Sequence, residues 1–85
     1  MANPMAESVI GIEVAYTSGN TDLALTKAKL GRHLHATEET KFAWGLLVGL
    51  LMYEYDRNFD YDRIIQILNA LGMKANGHSA ALAAL

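Results

Sequence analysis

Two groups of side chains in this 85-residue chain are of types that do chemistry. His33, His35 and Glu39 are nitrogen and carboxylate donors of the kind that hold a transition metal. Residues two apart on a helix point in quite different directions, so His33 and His35 do not converge, and His35 with Glu39 supplies at most two ligands. Surface histidines are the simpler account. Asp56, Asp60 and Asp62 suggest the paired carboxylates of acid–base catalysis. No nucleophile accompanies them, and helix capping and solvation explain them adequately. The chain has no glycine-rich phosphate loop, no GxSxG elbow and no HExxH. These residues predict no enzyme, no metal and no cofactor.

The elements that position these side chains belong to one small domain, which has a thin stability margin at this length. With no cysteine, the chain has neither a disulfide framework nor a cysteine-ligated zinc, and hydrophobic packing or self-association must hold it together. The 52% apolar content suits that requirement. A formal net charge of −2 and a pI near 5.8 oppose a polyanion unless a local basic patch compensates. The start of the chain shows no positively charged segment leading into a long apolar one, and the longest apolar run, 42–53, is too short to span a bilayer as a helix. A cytoplasmic protein without a membrane role is the expectation.

Asn3 followed by Pro4 is a helix start, and Gly19 a stop, so the first helix is expected over 4–17, with a strand as the alternative for the β-branched stretch 8–16. A second helix is expected over 21–35, with Leu23, Leu30 and Leu34 on one face and Lys29, Arg32 and His33 towards the other. Thr37 caps a third, whose first turn carries Glu38 and Glu39 and whose stretch 42–53 is apolar all round, the mark of a buried central helix. Gly45 and Gly49, four apart on it, leave a groove where another backbone can approach and are the expected homodimer interface. Asp60 caps a fourth helix ended by Gly72, and the Ala-rich tail 76–85 frays or adds a short fifth helix. Sliding the chain by 38 residues superposes Gly11 on Gly49, Asn20 on Asn58, Asp22 on Asp60 and Leu30 on Leu68. The two loops share the first three ligand positions of a calcium-binding EF-hand loop. The later requirements fail, because Tyr61 stands at the turn-glycine position and Lys29 and Ile67 at that of the bidentate Glu.

The segment 25–44 resembles the helix-turn-helix of the Cro/cI-type (XRE) repressor family. Leu30 and Leu34 match its two buried leucines, Gly31 its small contact residue, Ala36 its apolar turn residue and Thr37 the cap of its recognition helix. The stretch 58–73 looks like the segment that closes the core of those domains. The resemblance implies double-stranded DNA as a partner, with Thr37, Glu38, Thr40 and Lys41 facing the major groove and Lys27, Lys29 and Arg32 meeting phosphates. The sequence thus predicts an all-α bundle of four or five short helices over 1–75, dimeric. Two functions follow: a homodimeric DNA-binding transcriptional regulator, or a non-enzymatic helical protein-binding module such as an adaptor, an inhibitor or an antitoxin-like partner.

Overall fold

The computed structural model describes residues 3–53 and 60–77, with the side chain of Asp60 excepted. Four helices account for most of them: α1 (Pro4–Thr17), α2 (Thr21–His35), α3 (Lys41–Met52) and α4 (Asp60–Ala75), with no strand among the described residues. The expectation of an all-α bundle is met. The capping contribution of the Asp60 side chain, positions 56–59 of the loop and positions 78–85 of the tail 76–85 lie outside the described residues.

Local chemistry explains the helix ends. The Asn3 side-chain oxygen accepts from Met5 N–H and Ala6 N–H at 3.1 and 3.2 Å, and Pro4, at the first helical position, gives up no needed donor. The helical alternative for 8–16 therefore holds over the strand. Gly19 turns the chain at φ +85°, a conformation that costs glycine little, and Asn20 caps α2 by accepting from Leu23 N–H at 3.1 Å. Before α3, Thr37 and Thr40 satisfy each other: Thr37 N–H donates to Thr40 Oγ1 at 2.9 Å and Thr40 N–H donates to Thr37 Oγ1 at 3.3 Å. This is a capping box built from two threonines around the turn 37–40, but the regular helix begins only at Lys41 with Thr40 at its N-cap, so Thr37 stands one turn ahead of it and Glu38 and Glu39 lie outside its first turn. Gly72 does not end α4. The helix continues past it to Ala75, and Gly77, at φ +89°, closes the final turn by donating to the Lys74 carbonyl.

The four helices form a ring in which α1 packs chiefly on α2 and α4, and α3 on the same two. The core between them holds Val9, Ile12 and Tyr16 of α1, Trp44, Leu47 and Leu51 of α3, and Ile64, Ile67, Leu68 and Leu71 of α4. Helix α2 fully buries only small residues, Ala24, Ala28 and Gly31, with Leu25 packed half-buried at the edge. The reason is Trp44, whose fully buried indole lies against α2: a Cβ on Gly31 would stand 2.7 and 2.8 Å from two atoms of its ring. Between α1 and α4, Gly72 meets Val9, and Tyr16 stacks on Tyr61 with ring centres 5.4 Å apart.

This arrangement corrects two expectations. Leu30 and Leu34 are not buried; they stand 57% and 60% exposed. Nor is α3 a central helix enclosed on all sides, because Ala43, Trp44, Leu47, Val48 and Leu51 face the core while Phe42 is 68% exposed. Leu47→Ala is accordingly expected to cost about 2–5 kcal/mol, the range for truncating a buried leucine. Half-buried Leu50 should lose clearly less on the same substitution, and denaturant melts of the two variants compare them directly.

Candidate functional site

The residues expected to touch DNA do not all share one surface. On α2, Lys27 and Arg32 lie about 140° apart around the helix axis. Lys27 leans towards α1, its ammonium 3.8 Å from where a Gly11 Cβ would be, whereas the Arg32 guanidinium reaches to 3.8 Å from the Cβ position of Gly45 on α3. Lys29 is exposed on the Arg32 side, about 60° from it. Lys41 pairs with Glu38 at 2.7 Å, so its charge is partly compensated beside the capping turn. Thr40 is 1% exposed with its hydroxyl engaged by Thr37, and it cannot touch a base edge from there. Thr37 is exposed but its hydroxyl serves the same box.

The outward side of α3, where a recognition helix would present hydrogen-bonding groups, carries Phe42, Gly45, Leu46, Gly49 and, just past its end, Tyr53. Tyr53 alone brings a polar tip. Base edges are distinguished by donors and acceptors in the groove, and this face has almost none to offer.

His35 and Glu39 are likewise engaged elsewhere. His35 Nε2 and Ser8 Oγ are 3.0 Å apart, joining the end of α2 to the start of α1. Glu39 pairs with Lys74 of α4 at 2.6 Å. His33 is exposed, and among the described residues no three histidine or acidic side chains gather as metal ligands. Of the three aspartates, Asp62 is exposed at the start of α4; Asp56 and the side chain of Asp60 lie outside the described residues.

What the structure does gather is exposed apolar surface, in two places. The first is the α3 face, where Phe42 and Tyr53 are 68% and 70% exposed and Gly49 has no atom within 4 Å of its Cβ position. Of the glycine pair expected to form a groove, Gly49 is open and Gly45 is partly covered by Arg32. The second is the outer side of α1 and α2, bearing Ile10, Val14, Leu23, Leu30 and Leu34. Ile10 and Val14 were not among the expected site residues. Their signal was in the sequence, in that Val9, Ile12 and Tyr16 already form a complete core stripe and leave Ile10 and Val14 on the other side of the helix.

Over the described residues, fold and surface together define an all-α arrangement of four helices whose distinguishing chemistry is apolar and outward-facing. Comparison with protein-family models, with curated proteins and with solved structures finds no match. Among the described residues, no helix is long and apolar enough to cross a membrane.

Proposed function

We propose that this protein is a non-enzymatic protein-binding module that works as a homodimer in the cytoplasm and does not bind DNA. The observation that carries this reading is the outward face of α3. From Phe42 to Tyr53 the helix has no charged side chain, and its outer flank is exposed at both ends, at Phe42, Met52 and Tyr53, and half-buried between them at Gly45, Leu46 and Gly49. Soluble monomers seldom leave such a patch uncovered, and contiguous exposed apolar surface marks interaction sites.

The same face favours a second copy as its first occupant. A two-fold axis passing midway between Gly45 and Gly49 sets each glycine opposite the other in the partner helix, and sets Phe42 opposite Met52. Met52 is 42% exposed and Phe42 68%, so a large side chain at each end meets its counterpart while Gly49 lets the backbones approach and the Arg32 side chain swings off Gly45. The divergent directions of Lys27 and Arg32, the pairing of Lys41 and the burial of Thr40 all weigh against the DNA-reading alternative.

Sedimentation of the parent protein is expected to report a dimer. Gly49→Leu, which fills open space and so spares the fold, should convert it to a monomer. A parent monomer, or a dimer indifferent to Gly49→Leu, removes the α3 interface. In parallel, no retardation of random-sequence duplex is expected even at low salt, where non-specific binding is strongest. A retarded complex that Lys29 and Arg32 neutralisation weakens would restore the regulator reading.

A further inference from the structure

The α1–α2 surface is the second unpartnered face, and its make-up differs from that of α3. On α2, Leu23, Lys27, Leu30 and Leu34 follow at spacings of four, three and four, the spacing of a coiled-coil seam. The three leucines are 43%, 57% and 60% exposed, and Val14 of α1, 59% exposed, lines a hollow together with Leu23. Between the two helices lie two adjoining hollows of about 380 and 120 Å³, and Gly11 and Lys27 line both. The absence of a side chain at Gly11 leaves room for the Lys27 ammonium, which lies across the α1 backbone. Lys27 has no ion pair among the described residues, although Glu7 lines the smaller hollow.

A lone cation at the middle of an apolar seam decides what can cover it. Two copies of this face about a two-fold axis through its centre would bring Lys27 against the partner's Lys27, a like-charge contact that disfavours the pairing. Nor does a second self-complementary face suit a homodimer, because two such faces on one subunit build a larger assembly. A heptad-spaced apolar stripe with one carboxylate in it satisfies both the leucines and the lysine, and a single polar seam residue with its counterpart sets register. We propose that the α1–α2 face docks an amphipathic helix from a different protein, whose apolar stripe carries one Asp or Glu that pairs with Lys27. This deepens the protein-binding reading above and rests on it, but it uses a different face from the dimer.

The test uses two synthetic helical peptides with the same leucine stripe, one bearing Glu and the other Lys at the central stripe position. The parent protein is expected to bind the Glu peptide about tenfold or more tightly than the Lys peptide, and Lys27→Glu to reverse that order, as a close interfacial charge pair requires. Leu30→Asp, at a position exposed in the fold, should abolish binding of the Glu peptide while sedimentation remains that of the parent. Equal affinity for the two peptides, binding of neither, or a Leu30→Asp variant that still binds overturns the proposal. So does binding of the protein to phosphatidylserine vesicles that Leu30→Asp removes, since the face would then serve a lipid surface. The dimer reading fails separately, in the sedimentation of Gly49→Leu, whereas peptide affinity is read whatever the oligomeric state.

Discussion

Trp44→Ala is expected to lower the stability of the domain by about 3–5 kcal/mol, the range for removing a buried large aromatic. Trp44 is fully buried on α3, and its ring fills the space opposite the smallest stretch of α2. Ala24, Ala28 and Gly31 cannot extend to close the resulting cavity, so the site collapses poorly and the loss belongs at the upper end. Domains of this size have roughly 5–15 kcal/mol in total, which makes the variant marginal. Trp44→Phe separates volume from polarity. The indole N–H is buried with no hydrogen-bond partner among the described residues, an arrangement that costs about 1–3 kcal/mol. Phenylalanine sheds that cost while keeping an aromatic ring, so its loss should be less than half that of alanine. Because Trp44 is the only tryptophan, the melts are followed by far-ultraviolet circular dichroism. Equal losses for Ala and Phe would show that the indole N–H is satisfied in solution.

Gly31→Ala should destabilise by about 1–3 kcal/mol, as overpacking of a filled core does, against the usual benefit of replacing a helical glycine. The added methyl would stand 2.7 Å from a rigid, enclosed ring, and neither partner has room to withdraw. Gly49→Ala has no atom within 4 Å in the subunit and should instead gain roughly 0.5–1 kcal/mol from helix propensity alone when melted at a dilution where the subunits are separate. The opposite signs are the test. In a Trp44→Phe background the penalty at position 31 should shrink, because the smaller ring withdraws from the glycine, and two residues in contact are expected to be non-additive. Additive losses would mean that the α2–α3 contact is looser than the geometry describes.

Much of the secondary structure was legible because it is written locally. Asn3-Pro4, Gly19 and Asn20 mark their boundaries through backbone hydrogen bonds and dihedral preferences that need no tertiary context. The orientation of α2 was not legible by the same means. Leucines at 23, 30 and 34 look like a core stripe, yet the helix buries Ala24, Ala28 and Gly31 instead, because a tryptophan from another helix occupies the space that leucines would need. That choice depends on a contact made across the bundle. Leu30 and Leu34, two of the residues that carry the resemblance to a DNA-reading hairpin, are exposed rather than buried. Gly72 misled for a related reason, since it admits Val9 of α1 rather than stopping the helix. The candidate surface was half visible: the apolar run 42–53 announced an unusual helix, but which side of it stays open follows from the ring of four helices.

The Asn3 side chain has a second role besides capping α1, since its amide donates to the carbonyl of Ala75 at the end of α4. The Ser8–His35 and Glu39–Lys74 contacts lie near the same pole. The first and last described helices therefore enter and leave side by side, and the order of connection around the ring is not what holds it closed. A chain rejoined from 77 to 3 by a short linker and opened at Gly19 would traverse the same four helices with every one of these ties intact. The four described helices are in this sense a circle, opened between Gly77 and Asn3.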